Sequence, residues 1–170
     1  LFVNDAGKGL IQVIDNGNGM NEDDAILSFQ RHATSKISEP EDLENITTLG
    51  FRGEALASIA AVSQVEMKTR IAEDELGTLI KNHGSEITEH SKIQTEKGTW
   101  IAVRNLFYNT PARRNFLKTN QTEFRHIYDT FVRLAISNFD KAFSFINEDE
   151  EIFDLPSETL FDRICRVSGK

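Results

Sequence analysis

The chain has few of the residues that cross-link or anchor small proteins. Its 170 residues include one cysteine, Cys165, which excludes a disulfide framework and a cysteine-based metal site within this sequence. No apolar run approaches the roughly 20 residues of a membrane span, and nothing resembles a cleavable signal. These absences favour a globular protein of the reducing cytosol.

Basic residues are also in the minority. The chain has 19 Lys and Arg against 27 Asp and Glu, and its net charge of −8 argues against a dedicated nucleic-acid module. The hydrophobic share of 39% and the charged share of 27% are typical of a globular domain with a substantial core. Because the first residue is Leu1 and the chain opens inside a strand pattern, we expect a fragment of a longer protein.

A glycine-containing stretch at Leu49–Ala61, LGFRGEALASIAA, leads into an apolar helical pattern. Gly50 and Gly53 would let the backbone approach a ligand, and the first-turn amides and helix dipole favour phosphate. Glu54, expected in the first turn, suits the same dipole. Taken alone, the stretch is more typical of a glycine loop that precedes a buried helix.

The remaining pattern predicts mostly strands. Asn21 is a candidate N-cap, and a tight turn is expected at His83–Gly84. The predicted strands are 1–4, 10–15, 62–70, 77–83, 85–92, 98–107, 141–147 and 150–155, and the predicted helices are 21–29, a start near Pro111, an amphipathic 122–138 and a last one after Pro156–Ser157. The expected apolar face of helix 122–138 comprises Phe124, Ile127, Tyr128, Phe131, Leu134 and Ala135.

The DNGNGM segment at residues 15–20 follows a predicted strand. Gly17 and Gly19 allow a tight turn and leave room for a flat ligand, and Asp15 would be a buried-side acceptor for the exocyclic amine of a base. An ordinary Asn-Gly turn is the alternative. A calcium loop is excluded because Met20 and Ile26 occupy the positions that need glycine and glutamate.

Two further segments carry polar groups that suit phosphates. Thr34, Ser35 and Lys36 supply hydroxyls and a cation before an acidic loop of lid-like length, or are solvated surface. Residues 109–120 carry only basic charges, including Arg113 and Arg114, interleaved with aromatics. This combination suits nucleic acid, unless the aromatics are core and the arginines hold neighbouring loops.

The motifs RHATSKI, GFRGEALASI and LFYNTPARRNFLK follow DNGNGM in one order. On these motifs the chain resembles the N-terminal ATPase region of the MutL family of DNA mismatch repair proteins, within the ATPase superfamily shared with gyrase and the histidine kinases. No GxxxxGK[ST] segment is present, which excludes a P-loop mechanism.

The resemblance implies an α+β fold. Its form would be a two-layer sandwich of a largely antiparallel mixed sheet with helices on one face, the Bergerat-type ATP-binding fold, truncated at the N-terminus. Residues 1–156 would be the ATP-binding domain without its first helix. Residues 157–170 would begin the S5-like transducer domain.

The resemblance also implies site residues. Asp15 would bind the adenine amine, with Thr99 beside it on the pocket floor. The full implied ATP-binding set is Asp15, Gly17, Gly19, Thr34, Ser35, Lys36, Gly50, Phe51, Arg52, Gly53, Glu54, Ala55, Leu56 and Thr99. The general-base glutamate and the magnesium-binding asparagine are expected upstream of Leu1, so no catalytic or metal residue is assigned here.

The implied function is that of a mismatch repair matchmaker. ATP with Mg²⁺ would order the lid and drive N-terminal dimerisation, coupling a MutS-type recognition partner to downstream repair. Arg113 and Arg114 would contribute to weak DNA binding, and the protein would be cytoplasmic, bacterial and associated with the nucleoid during repair, without a membrane partner. The 170 residues alone are expected to be inactive. The alternatives are a non-hydrolysing scaffold and another superfamily ATPase, such as a topoisomerase subunit.

Overall fold

The computed structural model describes residues 1–31 and 53–169. Within these ranges it has eight strands and five α-helices. In chain order they are β1 Phe2–Asn4, β2 Leu10–Asp15, α1 Glu22–Leu27, α2 Ala55–Ala60, β3 Gln64–Arg70, β4 Gly77–His83, β5 Glu86–Ile93, β6 Gly98–Arg104, α3 Pro111–Asn115, α4 Asn120–Ser137, β7 Phe143–Asn147, β8 Glu150–Leu155 and α5 Leu160–Val167.

The strands form one open sheet in the order β5-β4-β3-β6-β2-β1-β7-β8. The pairs β1/β2, β3/β4, β3/β6, β4/β5 and β7/β8 are antiparallel, and β1/β7 is parallel. The predicted α+β fold, with its largely antiparallel mixed sheet, is therefore confirmed. By contacts the chain divides into two compact units, 13–110 and 1–12 with 111–170, which are described separately.

In the unit 13–110, strand β3 shows a strict alternation of burial. Every second residue of β3 is buried, beginning with Val65 and Met67, as expected for a strand with one face against a core. Ala25, Phe29, Ala60 and Ile80 join them in one apolar cluster. The predicted N-cap is confirmed, because the side chain of Asn21 accepts a hydrogen bond of 2.8 Å from the Asp24 amide.

The tight turn between β4 and β5 lies one residue later than expected. Gly84 and Ser85 form it, with φ of 62° and 79°, which is the conformation of a two-residue hairpin loop with positive φ at both positions. His83 instead ends β4, paired with Glu86. The predicted turn at His83–Gly84 is therefore wrong by one position.

The unit of residues 1–12 and 111–170 has an aromatic core. The ring of Phe131 lies 4.9 Å from that of Phe145 and 5.7 Å from that of Phe153, within the range of favourable aromatic pairs. The helix predicted at 122–138 is α4, and Phe131 and Ala135 are its buried residues. Leu134 is an exception to the predicted apolar face, since it is 44% exposed.

The last helix, α5, is held by a buried arginine. The Arg163 guanidinium donates to the backbone oxygens of Ala135 and Pro156, each at 2.6 Å, and to the Glu158 carboxylate at 2.8 Å. Its remaining bonds reach the carbonyls of Phe139 and Lys141. The Arg163 guanidinium also lowers the pKa of the Glu158 carboxyl. The domain boundary expected at residues 156 and 157 stays a prediction.

Candidate nucleotide-binding site

The DNGNGM segment begins where β2 ends. A carboxylate oxygen of Asp15 accepts a hydrogen bond of 2.9 Å from the Gly17 amide, which closes an Asx turn. Asp15 is exposed, so the expectation of a buried-side acceptor is wrong. The exposure is not confined to the turn, since Val13 and Ile14 of the same strand are 48% and 50% exposed, and the carboxylate that would receive a base also stabilises the turn.

Gly19 and Gly98 pack backbone against backbone in this unit. A Cβ on Gly19 would lie 2.0 Å from the Arg70 carbonyl oxygen. A Cβ on Gly98 would lie 2.1 Å from the Asp15 carbonyl oxygen. Both residues have positive φ, 72° and 115°. Gly17 differs, because an added Cβ there would meet only the Asp15 side chain, at 2.9 Å. Gly19 is therefore required by the protein's own packing, independently of any ligand.

A fully buried threonine on β3 joins these segments. The Thr69 hydroxyl accepts a hydrogen bond of 2.9 Å from the Met20 amide and donates one of 3.1 Å to the Gly98 carbonyl. It also lies 3.2 Å from the hydroxyl of Thr99. Sequence analysis missed Thr69. The available signal was a polar residue in the buried register of β3, two positions after Met67.

Thr99 stands next to these contacts, and its own side chain is only partly buried. The backbone of Gly98 lies against that of Asp15, so Thr99, the residue after Gly98, is close in space to the DNGNGM turn. The structure thus groups Asp15, Gly19 and Thr99, three of the residues named from sequence. Their assignment to a nucleotide stays a prediction.

The predicted phosphate segment is only partly described. Gly53 has a positive φ of 63°, and Glu54 occupies the N-cap of α2, one residue before the first turn in which it was expected. Ala55 and Leu56 open this six-residue helix, which buries Ala57 and Ala60. Thr34, Ser35, Lys36, Gly50, Phe51 and Arg52 lie outside the described residues.

No protein-family model matches the chain. Curated relatives match it along its whole length: it is 54% identical over 170 residues to the DNA mismatch repair protein MutL of Chloroherpeton thalassium and 53% identical to that of Bacteroides fragilis. The chain covers 27% of each of these relatives and corresponds to their N-terminal part.

Along its whole length the chain matches the N-terminal part of MutL proteins.

Solved structures agree with this assignment. The Aquifex aeolicus MutL ATPase domain complexed with ADP is similar with a TM-score of 0.76 and 28% identity, over 99% of this chain and 60% of that one. The N-terminal domain of a DNA repair protein is similar with a TM-score of 0.79 and 28% identity, over 99% of this chain and 51% of that one. The fold implied by the resemblance is therefore the fold of MutL ATPase domains.

A surface ion-pair cluster lies beside the start of α1 in this chain. The Glu22 carboxylate contacts the Lys92 ammonium at 2.6 Å and the His90 imidazole at 2.8 Å. The hydrogen bond from Lys92 is the main cause that lowers the pKa of Glu22. The sequence gives no local signal for this pair, because Glu22 and His90 lie 68 residues apart.

The predicted DNA-binding residues lie on the other unit. Arg113 and Arg114 stand in the last turn of α3, which has no buried residue. Phe116 follows and is 80% exposed, so it is not the core residue that the alternative interpretation required. The Lys8 ammonium donates to the Lys118 carbonyl at 2.9 Å, which adds a cation to the same segment.

Two negative findings apply to the described part of the chain. None of the helices in residues 1–31 and 53–169 is long and apolar enough to cross a membrane. In the same ranges, no three His, Cys, Asp or Glu side chains come together in a group that could hold a metal ion.

Proposed function

We propose that the chain forms part of the ATP-binding region of a bacterial MutL mismatch repair protein. The observation that carries this proposal is the meeting of the DNGNGM turn with the start of β6. There the buried Thr69 hydroxyl contacts Met20, Gly98 and Thr99, and the Gly98 backbone lies against that of Asp15. A carboxylate and a hydroxyl near a glycine turn offer hydrogen-bond partners to one edge of a purine. The relative solved with ADP supports a nucleotide as the ligand.

In this proposal Asp15 accepts a hydrogen bond from the exocyclic amine of adenine. Its exposure means that the bond competes with water until the nucleotide covers it, so its contribution is modest. Gly17 and Gly19 shape the base pocket. The phosphates are assigned, by family resemblance, to the lid residues Thr34, Ser35 and Lys36 and to the segment Gly50–Leu56.

Hydrolysis is assigned to the protein that carries this chain, with the general base upstream of Leu1. Magnesium, when bound with ATP, neutralises phosphate charge in such sites. The asparagine assigned to the metal rests on family resemblance, and the 170 residues alone are expected to be inactive.

ATP binding would order the lid and drive dimerisation of the N-terminal regions. This order–disorder switch would couple a MutS-type recognition protein to downstream repair in the bacterial cytoplasm, at the nucleoid. The domain boundary stays at residues 156 and 157 in this proposal, with α5 opening the transducer domain.

The test uses the full-length protein with and without a non-hydrolysable ATP analogue. We expect an increase in molar mass on sedimentation when the analogue is added, and slow turnover of ATP. If the protein is a dimer both with and without the analogue and binds no nucleotide, the scaffold alternative would be favoured. Hydrolysis of ATP by a protein that stays monomeric would support the ATPase assignment and contradict ATP-driven dimerisation.

A second function, DNA binding, is favoured by the charge distribution. Between Glu96 and Glu123 the sequence has five cations and no acidic residue, although the chain as a whole has a net charge of −8. Arg113 and Arg114 are exposed within this segment, beside the exposed ring of Phe116. Cations that contact phosphates and an aromatic ring that can stack on a base are the usual components of such a surface.

A further inference from the structure

The basic segment, residues 111–118, is held by hydrogen bonds more than by packing. All of its residues are exposed except Leu117, which is partly buried. Two backbone bonds close its turn, from the Phe116 amide to the Arg113 carbonyl at 3.1 Å and from the Leu117 amide to the Arg114 carbonyl at 3.2 Å. Because apolar burial contributes little here, the position of the segment depends on its polar contacts with the rest of the unit.

These polar contacts meet at the C-terminal end of the segment. The Lys8 ammonium donates to the Lys118 carbonyl at 2.9 Å and to the side-chain oxygen of Asn120 at 2.8 Å, and the Asn120 NH2 group donates to the Asp5 carboxylate at 2.8 Å. Both neighbours require this orientation of the Asn120 amide, because an ammonium only donates and a carboxylate only accepts. The Lys118 amide donates to the Glu123 carboxylate at 2.6 Å. Asp5, Lys8 and Asn120 therefore form a latch on the Lys118 carbonyl.

The turn that carries two of the latch residues has an unusual backbone. Asp5, Ala6 and Gly7 have positive φ of 49°, 52° and 83°, which residues other than glycine rarely adopt. The turn packs against α4, since Ala6 is buried and a Cβ on Gly7 would lie 2.8 Å from a side chain of that helix. A strained backbone persists where its surroundings fix it, and here it sets the Asp5 and Lys8 side chains against the two polar atoms of the Asn120 amide.

We propose that Lys8 and Asn120 are positioning residues, which hold the basic segment so that Arg113 and Arg114 meet DNA phosphates together. Two of the three Lys8 donors are already used on oxygens of the protein, so Lys8 acts through the segment. A segment held in place before binding loses less conformational freedom when it binds, and affinity rises accordingly. The inference rests on the proposed DNA binding.

The test measures binding of a fluorescein-labelled DNA duplex to the full-length protein by fluorescence anisotropy at several salt concentrations. Asn120→Ala opens the latch without removing a charge, so the number of ion contacts with DNA should not change. We expect affinity to fall about threefold to fivefold, with the slope of log K against log salt unchanged. Gln121→Ala is the matched control, because it removes the same amide group from the next residue of α4, and it should keep the wild-type affinity.

A second comparison shows whether Asn120 acts through the two arginines. In a background with Arg113→Gln and Arg114→Gln, Asn120→Ala should cause no further loss of affinity. An equal loss in both backgrounds would show that Asn120 itself contacts DNA, and would overturn the inference. Unchanged affinity of Asn120→Ala alone would also overturn it, while the proposed DNA binding stands as long as the double arginine variant lowers the salt slope. If that variant leaves the slope unchanged, the proposed DNA binding and the inference both fail.

Lys8→Met opens the latch from its other side. We expect a loss of affinity similar to that of Asn120→Ala, again without a change in the salt slope, whereas a slope reduced by about 1 would show that Lys8 is a phosphate contact and would contradict the proposal. Amide hydrogen exchange in the absence of DNA gives a direct measure of the latch. Exchange of residues 111–118 should be faster in both variants than in the wild type, and unchanged exchange would show that the latch does not hold the segment.

Discussion

The two units of this chain bury different kinds of side chain. In the described residues of the unit 13–110, the buried polar side chains are Ser63, Thr69, Thr78 and Asn82. In the described part of the other unit, the buried charged or polar side chain is Arg163, and the core is rich in phenylalanine. One unit uses buried polar groups to position a turn and two strands, whereas the other obtains stability from aromatic packing.

The difference teaches that stability and site geometry can be separated in this chain. Truncation of the aromatic core should change stability with little direct effect on the nucleotide site. Changes at the glycine and threonine contacts should affect the site first. Three variants, two with single substitutions and one with a double substitution, test this separation, and they are ordered by expected effect.

Phe131→Ala should have the largest effect. It removes a ring that packs on Phe143, Phe145 and Phe153, and we expect a loss of about 3–5 kcal/mol in the free energy of unfolding. Chemical denaturation measures it. Leu134→Ala, in the same helix but 44% exposed, is the matched control and should stay within about 0.5 kcal/mol. Equal losses would show that the aromatic core is not the source of stability.

Gly19→Ala should have the next largest effect, through the site. The new Cβ would meet the Arg70 carbonyl in a backbone conformation with φ of 72°, so we expect at least about 2 kcal/mol of destabilisation and weaker ATP binding. Gly17→Ala is the control for stability alone, because its Cβ meets only the Asp15 side chain and its φ is not positive. A Gly19→Ala protein of wild-type stability and affinity would contradict the packing described here.

The double change of Arg113 and Arg114 to Gln should have the smallest effect on stability, since both lie on an exposed helix. We expect weaker DNA binding, with the slope of log K against log salt reduced by about 1–2, and unchanged ATP affinity. An unchanged slope would indicate that the two arginines do not contact DNA and have a structural role instead.

Local patterns predicted most of the individual strands and helices, whereas the fold was implied by the family resemblance. The alternation in β3 and the cap at Asn21 are properties of neighbouring residues, and both are confirmed. The two strands β7 and β8 were also predicted from neighbouring residues, because they pair across a short turn. The one-residue error at Gly84–Ser85 arose because two residues with positive φ, one of them a serine, form the turn.

The contacts that were missed join residues far apart in sequence. Thr69 lies 49 residues from Met20, and Arg163 lies 28 residues from Ala135. Neither pairing leaves a local periodic signal. The exposure of Asp15 was also missed. An aspartate at the end of a strand can lie in an exposed Asx turn or in a buried pocket, and the local sequence does not distinguish the two. Family motifs named the site residues, and only the three-dimensional contacts show how they are supported.

The most direct test of the central claim is the affinity of the full-length protein for an ATP analogue, compared between the wild type and Asp15→Asn. Asparagine keeps an oxygen that can accept from the Gly17 amide, so the turn and the melting temperature should be retained. The NH2 group that replaces the second carboxylate oxygen cannot accept from the adenine amine, and we expect affinity to fall roughly tenfold. Unchanged affinity in a folded variant would show that DNGNGM is only a turn and that the base binds elsewhere.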